Sequence, residues 1–378
     1  MGDQTFSLER PQHQDNSRQL FIALVLFLSL CSAAFLLSAS YGYALNIEKA
    51  PEYFFLRHVA FLGVSFLAIF LPVLFVPIKV IKGLIPLATL VSVLLLVLCL
   101  IPGIGITKNG AHRWIGVGTW QLQPSEIFKP VLVLYMAYIL ERKREKLDDI
   151  VYGVLPPFVL VMFASLLVFL ENDFSTAALL VFIALAMMWL SNIKFIFFIA
   201  CVTVFVPLVF LTVLISDYRL LRIVGFMVKD NALNLSYQIT SSIRAIMSGG
   251  MWGTGLGQGL YKIKSIPEVQ SDFVLAALVE EIGFAGILLY LALWGVLLVL
   301  IFRAAKNAKD HFSYYALSGI GIFLSVQILI NMAVVGGILP TTGIIFPLLS
   351  SGGSGVIAVV FALAIAARLM SSKGSSDE

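Results

Sequence analysis

The sequence predicts an all-α polytopic membrane protein, and three observations carry that prediction. Of its 378 residues, 60% are hydrophobic and 12% charged, a balance foreign to soluble globular domains. The apolar residues fall into long runs, most of them near the ~20 residues a helix needs to cross the hydrocarbon layer. Lys and Arg gather in alternate connections, as the positive-inside rule requires.

Ten runs qualify: 19–41, 55–77, 83–103, 126–140, 151–170, 174–191, 195–216, 273–301, 312–335 and 353–369. All are expected to be helical, because lipid leaves open backbone groups unsatisfied. The runs 126–140 and 174–191 are short or interrupted. With the N-terminus inside, one side collects Arg10 and Arg18, Lys79 and Lys82, the Glu-Arg-Lys-Arg-Glu-Lys-Leu run 141–147, Lys194, Arg303, Lys306 and Lys309, then Arg368 and Lys373. An even number of spans returns the C-terminus to that side, so both termini are read as cytoplasmic. The expected organisation is a polar tail (1–18), a single ten-helix membrane domain (19–370) and a second tail (371–378). The large extracytoplasmic loop, 217–272, joins spans seven and eight, and part of it near 232–248 reads as amphipathic helix. The net charge of +4 then reflects topology, and the dispersed basic residues offer no nucleic-acid surface. The first run is longer than a signal-peptide core of roughly 7–15 residues. Cys31, Cys99 and Cys201 lie inside predicted spans with no metal-ligand spacing.

Five segments outside the plain apolar pattern are candidates for chemistry. In 109–130, Pro124 suits a first helical turn. Glu126 and Lys129 share a face and are read as an ion pair or as the polar lining of a cavity. Trp114, Trp120, Arg113 and Gln123 lie nearby. In 171–176, Asp173 reads as a helix cap on the same side of the membrane as Asp272. The run 248–259 has Gly-x-Gly-x-x-Gly character but no surrounding βαβ unit, so its glycines are read as permitting tight backbone turns. In 266–283, Asp272 stands at the mouth of a span, as a cap or as a reactive carboxylate. Glu280 and Glu281 follow about 12 Å deeper at 1.5 Å per residue and need partners such as Arg57, Lys129, Arg244 or backbone donors. In 336–354, Pro340, Pro347 and clustered Gly and Ser break the helix, and Ser350, Ser351 and Ser354 supply donors.

Taken together, Gly110–Lys129, Tyr218–Arg222, Tyr237–Gly259, Ile266–Gly283 and Gly337–Gly353 resemble the SEDS family of peptidoglycan polymerases, the FtsW, RodA and SpoVE group. Arg-Trp-Ile-Gly-Val-Gly and Gly-Leu-Gly-Gln-Gly-Leu-Tyr-Lys look closer to its division and sporulation branch, FtsW above all. The resemblance covers nearly the whole chain. It implies a peptidoglycan glycosyltransferase that joins lipid II units at the outer face of the bacterial cytoplasmic membrane, with polyprenyl pyrophosphate leaving under inversion. The family's essential aspartate matches Asp272 in Pro267-Glu268-Val269-Gln270-Ser271-Asp272-Phe273. Its membrane arginine matches Arg57, and its Gln-Pro-Ser-Glu…Lys motif matches Gln123 through Lys129. The chain departs from the family at Gln270-Ser271 (usually His-Thr), at Asn172-Asp173-Phe174-Ser175-Thr176 (usually Pro-Asp-x-Gly-Thr) and at Ser350-Ser351-Gly352-Gly353-Ser354 (usually Ser-Tyr-Gly-Gly-Ser).

The resemblance also implies roles. Asp272 is the candidate general base for a sugar hydroxyl. Arg57, Arg113 and Lys129 are the candidate cations for the pyrophosphate, with Gln123, Glu126, Asp173, Glu281 and Ser351 as further substrate-binding candidates. A divalent metal, Mg or Mn, bridged by Asp272 or Asp173 is a further expectation. The expected partners are lipid II, a single-span class B penicillin-binding transpeptidase, and other divisome or elongasome membrane proteins. The rival reading is a lipid II flippase or another transporter. The absence of internal repeats and the surface position of Asp272 argue against it. A pure scaffold leaves Asp272, Arg57 and Lys129 unexplained.

Overall fold

The computed structural model describes residues 10–108, 111–117, 120–147, 149–191, 193–194, 196–197, 199, 203, 234–260 and 269–371. Most of the expected span 195–216, the loop segments 217–233 and 261–268, Cys201, and residues 1–9 and 372–378 lie outside the described residues. The described chain is mostly helical. Its helices are α1 (Arg10–Asn46), α2 (Tyr53–Val73), α3 (Ile78–Leu100), α4 (Pro124–Arg142), α5 (Leu155–Leu170), α6 (Phe174–Leu190), α7 (Asn234–Gly249), α8 (Val274–Lys306), α9 (His311–Val335) and α10 (Gly353–Leu369). Six of the described helices are long and apolar enough to cross a membrane. α1 begins at Arg10, ahead of the residue 19 expected, so part of the anticipated N-terminal tail is helix.

The helices are inside-out relative to those of a soluble protein. On α3 the buried face carries Ile81, Ile85, Thr89, Ser92, Leu96 and Cys99. Its outer face carries Leu84, Leu87, Leu90, Val91 and Leu94, all exposed. A stripe that buries Ser and Thr while exposing Leu is stable only against lipid. α1 obeys the same rule, burying Ser29 and Ser32 and exposing Leu26, Phe27 and Leu30. The chain is a multi-pass membrane protein.

Basic residues tie one end of the bundle. The Arg18 guanidinium donates to Ala367 O at 3.0 Å and that of Arg368 to Val76 O at 2.7 Å. Lys82 meets Glu141 at 2.9 Å and Asp310 at 3.7 Å. Inside, α9 packs against α4 and α6 through Gly319, where an added Cβ would come within 2.7 Å of Met187 and Val133 side chains. Small residues let membrane helices approach this closely.

Two features depart from the expected run of plain helices. The first is a three-stranded antiparallel sheet at the opposite end, β1 (Gly105–Lys108), β2 (Ala111–Val117) and β3 (Trp120–Leu122), in that order. It joins α3 to α4, pairs Gly105 with Ile115 and Val117 with Trp120, and carries a bulge between Ile106 and Thr107. The second is a break in α8 at Gly283, whose φ of 69° and ψ of −177° interrupt the helix. The glycine-rich segment 249–259 splints that break. Thr254 and Gly255 N–H donate to the carbonyls of Glu280 and Glu281 at 2.9 and 3.0 Å, while Phe284 and Ala285 N–H donate to Gly250 and Met251 at 2.9 and 3.0 Å. The bonds lost to the break are thereby remade with a neighbouring stretch of backbone. A Cβ on Gly253 would sit 2.1 Å from Glu281 O, and one on Gly283 would sit 2.3 Å from Gly253 N. Close approach as well as positive φ therefore requires glycine at both places.

Candidate active site

At the end of the bundle that carries the sheet, α4, α6, α8 and α10 all begin, and their first residues are linked to one another. The Gln123 N–H, just before α4, donates to Ser354 Oγ in the first turn of α10 at 2.8 Å. The Gln123 side-chain amide donates to Asp173 Oδ2, just before α6, at 3.3 Å. The Ser351 N–H, before α10, donates to Gln270 O, before α8, at 2.9 Å. Four helix N-termini in one place concentrate unpaired N–H groups and the positive ends of four dipoles.

Asp272 lies in the turn leading into α8. The cap position itself is Phe273, with no side-chain cap bond, so the capping role considered for Asp272 does not hold. Its backbone carbonyl is held by the Asn331 amide of α9 at 3.0 Å, and the same amide donates to Ile344 O at 2.8 Å. Gln327, one turn earlier on α9, donates to Ile345 O at 2.9 Å. Asn331 and Gln327 thus fix the irregular 341–351 segment beside Asp272. At Gly343 (φ 76°), an added Cβ would lie 3.8 Å from Asp272 Oδ2 and 4.0 Å from Arg113 Nη1. This glycine leaves space between the carboxylate and the guanidinium.

The sheet delivers Arg113. From β2 its Nη1 stands 3.8 Å from Asp173 Oδ2, and its Nη2 donates to the Asn172 carbonyl. Asp173 caps α6 as expected, accepting the Thr176 N–H at 3.3 Å. Asn172 has φ 63°, a left-handed conformation closed to proline, whose φ is held near −65°. The departure from the family's Pro-Asp-x-Gly-Thr therefore has a local backbone consequence in this chain.

Glu171 completes this cluster, although the sequence pattern points to Asp173 and not to it. It is 0% exposed, and among the described residues neither carboxyl oxygen has a hydrogen-bond partner. Burial pushes its pKa up to about 9; Asp173 adds to the rise and Arg113 opposes it. A carboxyl in that position is neutral near pH 7. The signal in the sequence is a second acid two residues before the cap, in a short turn between apolar helices.

The other candidates divide. Lys129 is 0% exposed and donates to Glu126 Oε1 at 2.7 Å, the i,i+3 pair expected. Its ammonium also lies 5.9 Å from the centroid of the Phe323 ring. Glu126 Oε2 lies 3.3 Å from where a Cβ on Gly355 of α10 would stand, and among the described residues it has no hydrogen-bond partner. Pro130 sits within α4, which continues to Arg142. Arg57 on α2 stacks over Phe61, 5.7 Å from the ring centroid, and that ring packs against Gly353 at the start of α10. Glu281 is drawn elsewhere: it accepts the Ser38 hydroxyl at 2.7 Å and the Gly257 N–H at 3.1 Å. Its partners are a side chain of α1 and a backbone donor of the 249–259 splint, and Lys129 is committed to Glu126. Ser351 contributes its N–H to the loop. Among the described residues no three His, Cys, Asp or Glu side chains are grouped to hold a metal.

Comparison with known proteins bears on the family and the fold. The family model described as "Cell cycle protein", covering FtsW, RodA and SpoVE, matches residues 18–374. A Coxiella burnetii protein called "Probable peptidoglycan glycosyltransferase FtsW" is 34% identical over 348 residues, 90% of this chain and 93% of its own. A Methylomonas methanica protein of the same description is 32% identical over 369 residues, 95% and 94% of the two chains. Among solved structures, a chain from a peptidoglycan synthase complex coordinating polymerization and crosslinking superposes with a TM-score of 0.74 at 25% identity, covering 92% of this chain and 96% of that one. The rod shape determining protein RodA of Thermus thermophilus superposes with a TM-score of 0.64 at 26% identity, covering 92% and 95%.

Proposed function

The chain belongs to the FtsW, RodA and SpoVE family of cell cycle proteins, and from that premise we propose that it is a peptidoglycan glycosyltransferase serving cell division. Its substrate is lipid II, polymerised into glycan strands at the outer face of the bacterial cytoplasmic membrane by ten spans with both termini inside. The observation that carries this reading is the convergence of Asp272 and Arg113 on the space beside Gly343, at the end of the bundle where four helices begin.

The chemistry rests on those groups. A sugar 4-hydroxyl attacks C1 of the donor sugar, the C1–O bond to polyprenyl pyrophosphate breaks, and the configuration at C1 inverts. A neutral hydroxyl is a weak nucleophile, so Asp272 takes its proton as the bond forms. The leaving pyrophosphate carries its own charge and needs cations and N–H donors more than a proton. Arg113 supplies a guanidinium beside Gly343, and the N-termini of α4, α6, α8 and α10 supply oriented dipoles. Asp173 holds Arg113 from the far side, and Gln123 ties Asp173 to α4. Lipid-anchored substrates reach this end within the plane of the membrane, so orientation replaces part of the entropy cost of encounter. Arg57 belongs to the rim of the same region. A divalent metal remains compatible with Asp272 and Asp173, and no step here depends on it. The expected partner is a single-span class B transpeptidase that crosslinks the strands.

The decisive experiment is glycan polymerisation from purified lipid II in liposomes, with and without that partner. Asp272→Asn is expected to fold normally and lose at least about 100-fold in turnover, the lower range for removing a general base. Near-normal product from the variant removes Asp272 from the base role. Lipid II crossing the bilayer without polymer, in wild type and variant alike, assigns the chain to a transporter instead.

A further inference from the structure

At the end of the bundle opposite Asp272, a cavity of about 560 Å³ opens between the ends of α4, α6 and α8 and the start of α9. α4 spans the separation: its 19 residues place the two ends about 28 Å apart at 1.5 Å per residue. The cavity therefore belongs to neither the lipid II site nor the sheet. Its rim carries three basic side chains, Arg144, Lys309 and His311. Among the described residues none of the three is ion-paired. Among the described residues its one lining acid, Asp310, is already used: it caps α9 through the Ser313 N–H at 3.0 Å and faces Lys82 at 3.7 Å. The N-terminus of the 25-residue α9 opens beside them and adds the positive end of a helix dipole.

The remaining walls are mostly apolar or aromatic, with Leu147 and Leu190 on one side and Tyr314 on the other, and Ser191 is the polar exception. Trp189, next to Leu190, is exposed at the edge of the apolar belt, the depth at which tryptophan marks a membrane–water boundary. A basic rim over an apolar wall at that depth matches a phosphate head joined to acyl chains, and basic pockets between membrane helices bind such heads.

We propose that this cavity binds the phosphate-bearing headgroup of an anionic membrane lipid. With both termini inside, it opens toward the cytoplasmic leaflet, and the inference stands whether or not the glycosyltransferase reading does. Phosphate chemistry is shared by lipid heads and by free phosphate. The apolar wall and the depth of Trp189 select the lipid.

The test uses the full chain in phosphatidylcholine nanodiscs titrated with phosphatidylglycerol, with binding read by native mass spectrometry. The triple variant Arg144→Gln, Lys309→Gln, His311→Gln is compared with Lys146→Gln, Lys306→Gln, which removes two charges from the same end outside the cavity lining. The triple variant is expected to weaken phosphatidylglycerol binding by more than about twentyfold, near fivefold per lost Lys or Arg charge, and the control by much less. If the triple variant fails to fold, Lys309→Gln alone, an exposed loop substitution, is expected to weaken binding about fivefold. Equal losses in both variants overturn the proposal in favour of diffuse surface charge. Displacement of phosphatidylglycerol by millimolar inorganic phosphate overturns the lipid assignment, and absence of selective binding overturns the site.

Discussion

Glu126 and Glu171 are both enclosed by protein near the same end of the bundle, yet one is clamped and the other is not. Glu126 has Lys129 on the same helical face, 2.7 Å away. Glu171 has Asp173 two residues on, and the Arg113 guanidinium that acts on it already stands beside Asp173. Burial alone therefore does not set what a carboxyl does. The partner decides, and the partner is supplied either by local spacing or by elements distant in sequence. A carboxyl with a built-in lysine becomes a structural clamp. One left beside another acid becomes a neutral group whose state the site controls.

The sharpest way to break that contrast is to remove the lysine. Lys129→Met leaves Glu126 buried without its partner and is expected to cost about 3–5 kcal/mol, read as loss of thermal stability in detergent, while Glu126→Gln with Lys129→Met together recovers most of it. A double variant as damaged as the single one would show that the clamp is not an ion-pair effect.

A smaller effect is expected at Asp173, which serves two purposes at once. Asp173→Ala removes the cap of α6, costing about 1 kcal/mol, and releases Arg113 from its neighbour. Asp173→Ser keeps a capping oxygen without the charge. It should restore stability but not turnover in lipid II polymerisation. Full recovery of both would mean that Asp173 is a cap and nothing more.

A third contrast, at Glu171, is a matter of pH. Its folded-state pKa, near 9, lies above the ordinary value of 4.5 because of burial first and Asp173 second. Between those values the folded protein holds a proton that the unfolded chain has released, so this group's stabilising contribution is complete below pH 4.5 and is lost as pH rises toward 9. Glu171→Gln cannot titrate. Its melting temperature should fall less than that of wild type between pH 6 and pH 9. Parallel curves would mean that Glu171 is ionised throughout.

Much of this is legible in the chain itself. The runs of apolar residues determine where α1, α3, α5, α8, α9 and α10 lie to within a turn or so at most ends, because lipid admits little else. The i,i+3 spacing of Glu126 and Lys129, the cap at Asp173 and the amphipathic helix near 232–248 are local facts, and local facts survive in sequence. The sheet is not legible: β1, β2 and β3 are short, and the tryptophans and glycines of 105–122 read equally well as a loop. The break at Gly283 is hidden for a related reason. Helical periodicity continues through it, and its lost hydrogen bonds are remade by residues 249–259, which only the fold brings alongside.

Local spacing thus determined the membrane class, the helices and the pairings within one turn. Tertiary structure decided which charges meet. Arg113 reaches Asp173 because a strand turns it there, Asp272 is held by Asn331 some sixty positions later, and Glu171 is neutral because burial and Asp173 outweigh the Arg113 guanidinium. Electrostatic energy depends on distance through space and on burial, and for residues far apart along a chain neither quantity exists until the chain has folded.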